Sequence, residues 1–405
     1  MVTANRDPVF TRHSGDDATQ WVAIFLLFMS GCSVALHIGK VPAALPGLGE
    51  QLQLTLTQSG LVVSLYALMI ATLGFVLGLL VRRMGYVAFA ITGLALVGLG
   101  SLAGSFSSTL QWLVFTRVLE GLGWIMSAIA FPSMLTALAA SGDRQLVLGI
   151  WGGFVPAGAG AMLVVAPWLQ QLGGWQLSWQ VAGAASLLAL VVVWIVTRSR
   201  VPDMQALQEG GRVEPMVELK KPVIWLYSLC FLFYSFQFVG VTSFLPTLFI
   251  DTSSWSIAST SRLAALVVLC SVSGNIAAGY LLRRGAGSVL LLIVGAVVMG
   301  ASALVVFNEA FGLTIRILFA FMFTAFGGLI PGTLFASVPR VADNPVAIGL
   351  LIGLILQFAG IGQLMGGFLV PAVVEFFHSW QAGGLICLAM AVAGCIAAVL
   401  IPRLQ

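Results

Sequence analysis

SWQVAG, residues 178–183, and SWQAGG, residues 379–384, are nearly the same six letters written 201 residues apart. The pair has company. Leu45-Pro46 returns as Leu245-Pro246, and GLLVRRMG (78–85) is answered by GYLLRRGA (279–286). Arg117 precedes Pro132 by 15 residues, as Arg316 precedes Pro331, and Asp143 returns as Asp343. Landmarks repeating at an offset of about 200 residues mark an internal duplication: two halves that run in the same direction.

The composition says which solvent the halves live in. Of 405 residues, 60% are hydrophobic and only 8% are charged, where a soluble domain carries about a quarter charged residues. Most of this chain is therefore suited to lipid. A crossing needs about 20 mostly apolar residues. Reading apolar runs between polar, Gly or Pro breaks gives twelve spans. The first six cover 22–44, 58–80, 87–105, 110–136, 146–169 and 178–197; the others cover 224–248, 262–282, 288–307, 312–335, 346–370 and 380–401.

The long break RSRVPDMQALQEGGRVEPMVELKKP (198–222) divides them six and six. The expected architecture is an all-α membrane protein of twelve transmembrane helices in two parallel six-helix pseudo-repeats. Its parts are a tail (1–20), a first bundle (21–197), a linker (198–222) and a second bundle (223–405).

Fourteen of the 18 Lys and Arg residues fall in the tail, the linker and the loops that share their side. The positive-inside rule makes that side cytoplasmic, with both termini there. Residues 1–20 contain no apolar core of a cleavable leader and read as a cytoplasmic tail. Nine of the 11 tryptophans lie near span ends, where an aromatic belt belongs. All five cysteines sit in apolar runs and read as small packing residues, with neither metal-ligand spacing nor a disulfide framework. The net charge of +4 is confined to loops and implies no nucleic-acid partner.

Two stretches carry a family resemblance. GLLVRRMG, between spans 2 and 3, is similar to the major facilitator signature Gly-x-x-x-Asp-Arg-x-Gly, and LVFTRVLEGLG (113–123) resembles that superfamily's fourth-span pattern. The resemblance covers the whole chain. It implies a transporter with its solute site between the halves near the membrane midplane, working as a monomer. A finer resemblance, carried by FPSMLTALAASGDRQLVLGIWGGFVPAGAGAMLVVAPWL (131–169), is to the cyanate and nitroimidazole transporter branch.

The signature's Asp is missing. Arg82 stands in its place in the first half and Arg283 in the second. One expectation is a charge-swapped latch, with Arg82 or Arg83 facing Asp143 and Arg283 or Arg284 facing Asp343. The other is that these are solvated loop charges.

A charge inside hydrocarbon costs several kcal/mol unless it faces a partner or a polar cavity, so each is a functional candidate. Arg117 lies in span 4 with Glu120 one helical turn deeper on the same face, and Arg316 holds the equivalent place in span 10. His37 and Lys40 share a face of span 1. Arg117, Arg316 and Lys40 are candidate solute ligands, since their charges against the single Glu120 favour an anion. Glu120 and His37 are candidate proton carriers. The structural alternatives are a neutralised Arg117–Glu120 pair, a packing His37, and Arg316 and Lys40 reaching outward to the interface. Gln237, Asn275 and Tyr66 are the uncharged candidates for the solute site.

No motif supports catalysis or a cofactor, and no phosphate-binding loop supports ATP-driven transport. The expected activity is secondary transport of a small, anionic solute across the cytoplasmic membrane by alternating access, as proton symport. A proton-driven exporter of drugs or metabolites and a passive anion facilitator are the alternatives. The partners implied are the solute, protons and the bilayer.

Overall fold

The computed structural model describes residues 18–198, 215–252, 255, 257–342 and 345–401. Among them the chain is helical between short turns, with no strand. Eleven helices are long and apolar enough to cross a membrane. One of these, Arg144–Arg198, runs 55 residues and is two crossings rather than one. Its backbone leaves helical geometry at Gly173 and Gly174, the latter at φ 65, where a Cβ would be strained. The chain then doubles back. Gly158 packs on the Cys32 carbonyl of the first helix, and the Ser186 hydroxyl stands 3.5 Å from the neighbouring Ser33 carbonyl. Two points 28 residues apart at one level require a hairpin, so the spans among the described residues number twelve.

Span 1 is Trp21–Leu52, longer than its apolar run because Pro42 and Pro46 lie inside the helix instead of ending it. Gln53, at φ 51, closes it. Span 2, Leu56–Met84, starts on a capping box in which Thr55 and Gln58 satisfy each other's backbone N–H groups. Spans 3 and 4 are Tyr86–Gly104 and Leu110–Leu138. Span 5 begins as Arg144–Gly152 and continues from Phe154 to the Gly173 break, after which span 6 runs to Arg198.

In the second half, span 7 is Pro222–Thr242 continued by Leu245–Thr252. Spans 8 and 9 are Ile257–Arg283 and Ser288–Val306. Span 10 is split at Gly328 into Leu313–Gly327 and Leu329–Val341. Spans 11 and 12 are Pro345–Phe377 and Trp380–Leu400. Large apolar side chains such as Phe368, Leu188 and Trp168 stand exposed on the outer faces, as a lipid-facing surface requires.

The halves meet along glycines. A Cβ on Gly74 of span 2 would lie 2.7 Å from the Gly353 carbonyl oxygen of span 11, and one on Gly279 of span 8 would lie 3.0 Å from Gly149 Cα of span 5. Backbones this close need residues without side chains, and they give smooth contacts along which helices can slide. Gln357 of span 11 adds a polar tie across the same seam: its Oε1 accepts from the Phe75 N–H of span 2 at 2.9 Å.

Candidate functional site

Helical spacing puts His37 and Lys40 on one face of span 1, and Arg117 and Glu120 on one face of span 4. The structure turns these faces toward each other. Lys40 Nζ donates to Glu120 Oε1 at 2.9 Å, to Ser101 Oγ of span 3 at 2.7 Å and to His37 Nδ1 at 2.9 Å. Arg117 closes on Glu120 Oε2 and also donates to the His37 carbonyl at 3.3 Å. The centroid of the Trp179 ring of span 6 lies 4.4 Å from the Lys40 ammonium, and the Ser101 hydroxyl donates a hydrogen bond to the Trp179 carbonyl at 2.7 Å.

Every member is buried: Lys40 is 0% exposed, Glu120 and His37 1%, and Arg117 3%. Lys40 therefore does not reach outward to the interface. Its Nζ lies 2.9 Å from Glu120 Oε2 as well, and His37 Nδ1 lies 3.4 Å from that oxygen; with Nζ donating to Nδ1, the imidazole carries its proton on Nε2. That proton faces Ser186 Oγ at 3.0 Å, and Ser186 in turn approaches the Ser33 carbonyl. In that arrangement His37 is neutral, and the cluster holds two cations against one carboxylate.

Ser101, Trp179 and Ser186 belong to spans 3 and 6, so the cluster lies inside the first six helices. The sequence reading set Arg117, Lys40 and Arg316 around one solute between the halves. Arg316 instead donates from Nε to the Val306 carbonyl at 2.8 Å and lies over the Phe249 ring, in the other half. The physical reason is local: each Arg takes partners from its own bundle.

Gln237 also faces inward, into a small cavity with Cys230, Leu292, Ile330 and Gly394 from spans 7, 9, 10 and 12, its Oε1 unpartnered. Asn275 lies at the seam between halves. It packs against Gly152 of span 5 and Gly328 and Gly332 of span 10, with Oδ1 buried and unpartnered. Tyr66 of span 2 sets its ring edge-on to Trp124 of span 4 at 4.8 Å, and that indole stacks on Phe154 of span 5. Tyr66 Oη and Trp124 Nε1 have no partner. Trp124 is seven residues beyond Arg117 on the same helix, so the aromatic group lies about 10 Å deeper on the same face.

The latch differs from its expected form. Asp143 pairs with Arg283 of the other half at 2.9 Å, not with Arg82 or Arg83 of its own. Thr19, ahead of span 1, also donates to Asp143 and accepts from the Ala140 N–H, fastening the start of span 1 to the 4–5 loop. The crossing of spans 5 and 8 brings Asp143 and Arg283 together, a neighbourhood no single span reveals. Arg82 keeps a buried NH1 without a partner, Arg83 is exposed and Arg284 lies over the Tyr280 ring. Asp343 falls outside the described residues.

Sequence reasoning missed Ser101, Trp179, Ser186 and Thr19. Hydroxyls inside apolar spans were the available signal, but such groups often bond only to their own helix. Among the described residues no group of three or more His, Cys, Asp or Glu is placed to hold a metal ion.

The family model of the Major Facilitator Superfamily matches residues 23–351. The chain belongs to that superfamily. Its members are membrane transporters, not enzymes, and this chain is a multi-pass membrane transporter of that fold. The fold matches that of the proton:xylose symporter XylE with a TM-score of 0.76, at 13% identity and 95% coverage of both chains. It also matches the Escherichia coli fucose:proton symporter FucP, with a TM-score of 0.71 at 17% identity over 95% of this chain and 99% of that one.

Among curated relatives, the methyl viologen resistance protein SmvA of Salmonella typhimurium is 26% identical over 223 residues, 53% of this chain and 42% of that protein. The methylenomycin A resistance protein of Streptomyces coelicolor is 29% identical over 164 residues, 40% of this chain and 34% of the relative. The hexuronate transporter of Escherichia coli K12 is 24% identical over 202 residues, 48% and 44% of the two chains. The chain spans less than half the length of each of these relatives. They do not support the finer resemblance to the cyanate and nitroimidazole branch.

Proposed function

We propose that this transporter moves a small organic anion together with a proton by alternating access, with both termini in the cytoplasm. The cluster of His37, Lys40, Arg117 and Glu120 is its coupling centre. One observation carries the reading: a buried group of two cations and one carboxylate has an excess positive charge with no second carboxylate paired to it among the described residues. Such a centre lowers the energy of an anion brought into the first half and raises that of a cation. Arg117 supports this, since its buried Nε is without a partner. Tyr66, Trp124 and Asn275, with unpartnered polar atoms on spans 2, 4 and 8, are the groups proposed to meet the rest of the solute.

A second reading rests on the relatives named for drug resistance: proton-driven export of a lipophilic cation. The two separate cleanly in proteoliposomes. An inward proton gradient should concentrate labelled glucuronate, a hexuronate, and leave methyl viologen unmoved. Expulsion of methyl viologen with no glucuronate uptake would replace the anion reading with the exporter.

A further inference from the structure

Four ionisable side chains meet in the coupling centre, and only one can change its charge without adding to the buried excess. Arg117 stays charged throughout. Protonating Glu120 would raise the net charge from +1 to +2 and loosen the carboxylate on which Lys40 and Arg117 both converge. Protonating His37 would also give +2, and its Nδ1 proton would stand 2.9 Å from an ammonium that already holds Glu120, whose Oε2 is farther from Nδ1 at 3.4 Å. Loss of one proton from Lys40 lowers the net charge to zero and leaves Arg117 paired with Glu120. In a low-dielectric site only that step relieves the charge penalty.

Nothing else around Lys40 titrates. Span 3 offers Ser101, and span 6 offers Ser186 and Trp179. Span 5 has no ionisable side chain from 154 to 169, and the one such residue in 58–80 of span 2 is Tyr66.

We infer that Lys40, rather than Glu120 or His37, takes up and releases the coupled proton, so that its ammonium form makes the first half attractive to an anion. The inference rests on the proton-coupled reading of this cluster. On release, the Nζ–H bond facing His37 breaks and the proton joins Nδ1. The resulting imidazolium gives up its Nε2 proton on the Ser186 side, so that one proton leaves the cluster. His37 ends neutral in its other tautomer, with Nδ1–H donating to the free amine. Glu120 stays ionised as a standing counter-ion.

The Trp179 ring beside Lys40 reports the charge directly, because a cation over an indole face shifts its emission. The purified full chain is titrated between about pH 5 and pH 10, and the Trp179→Phe signal is subtracted to isolate that indole. Wild type should show one emission step. Lys40→Arg, always charged, and Lys40→Met, always neutral, should each lack it. Folded Glu120→Gln should keep the step, displaced to lower pH, because the carboxylate that favours the ammonium is gone. A step surviving in both Lys40 variants, a step lost from folded Glu120→Gln, or no step in wild type overturns the assignment.

A second arm uses glucuronate in proteoliposomes. Lys40→Arg, its folding checked in the emission titration, should lose at least about tenfold in proton-driven accumulation of labelled glucuronate, a coupling of about 1.4 kcal/mol. Undiminished accumulation by Lys40→Arg overturns the inference and leaves the solute reading standing. If wild type moves no glucuronate while the emission steps follow the expected pattern, the solute reading fails and Lys40 remains the proton carrier.

Discussion

The two halves descend from one pattern, yet their interiors are loaded differently. At an offset of 199–201 residues, Arg117 answers to Arg316, Ser101 to Ser302 and Trp179 to Trp380. His37, Lys40, Glu120 and Ser186 answer to Gln237, Gly240, Phe319 and Cys387. In the first half the Arg meets a carboxylate that a Lys also holds. In the second there is no acid at the matching place, and Arg316 takes a main-chain carbonyl and an aromatic face. Ser302 keeps its hydroxyl but has no bond partner for it, and Trp380 stacks on Phe307 instead of lying under an ammonium. Duplication supplied one scaffold twice. Among the described residues only the first half carries such an interlocked set of charges, which is why the coupling proposed above is placed there.

The largest expected effect breaks this asymmetry at its hub. Glu120→Ala leaves Lys40 and Arg117 buried without their acid, and removing one partner of a buried ion pair costs about 3–5 kcal/mol. Thermal unfolding in detergent should show that loss, and adding Lys40→Met should recover part of it by removing one stranded charge. An Ala variant as stable as wild type would mean the cluster is hydrated, and the contrast with the apolar second half would collapse.

A matched pair of substitutions sharpens the comparison at smaller scale. Ser101→Ala removes the acceptor of one Lys40 N–H and strands a buried donor, for about 1–3 kcal/mol. Ser302→Ala removes a hydroxyl that bonds to nothing, and should lie within about 0.5 kcal/mol of wild type. Equal costs from the two unfolding curves would show that the halves share polar packing after all.

Much of this was legible from the sequence. Twelve crossings, the duplication and the three-residue spacing of His37 with Lys40 and of Arg117 with Glu120 follow from apolar run length and helical periodicity. Periodicity fixes which side chains share a face but not which helix that face meets. For that reason Lys40 was read as a solute ligand or an outward-reaching cation, and Arg117 as a solute ligand or the partner of Glu120; that both close on the same Glu120 depends on the meeting of spans 1 and 4. Span 1 was drawn short because two prolines look like an ending, yet in a membrane helix neighbouring groups can make good the lost backbone bond. The latch was misassigned on the same ground: Asp143 was given a partner from its own half, and the crossing of spans 5 and 8 supplies one from the other.

That latch gives the smallest effect and tests how the unequal halves are held together. Asp143 and Arg283 are 2.9 Å apart, with side chains 16% and 46% exposed and without hydrogen-bond alignment. An ion pair so placed contributes about 0–1 kcal/mol, so Asp143→Asn and Arg283→Gln should barely move the unfolding midpoint. A closed end held by 1 kcal/mol opens about fivefold more often when that hold is lost. Amide exchange across 143–150 and 279–285 should therefore quicken by up to about fivefold in either variant, and the double variant should add nothing, since both changes remove one interaction. Additive acceleration would show two independent surface charges, and the seam would then rest on the glycine contacts of spans 2 with 11 and 5 with 8 and on the Gln357 tie.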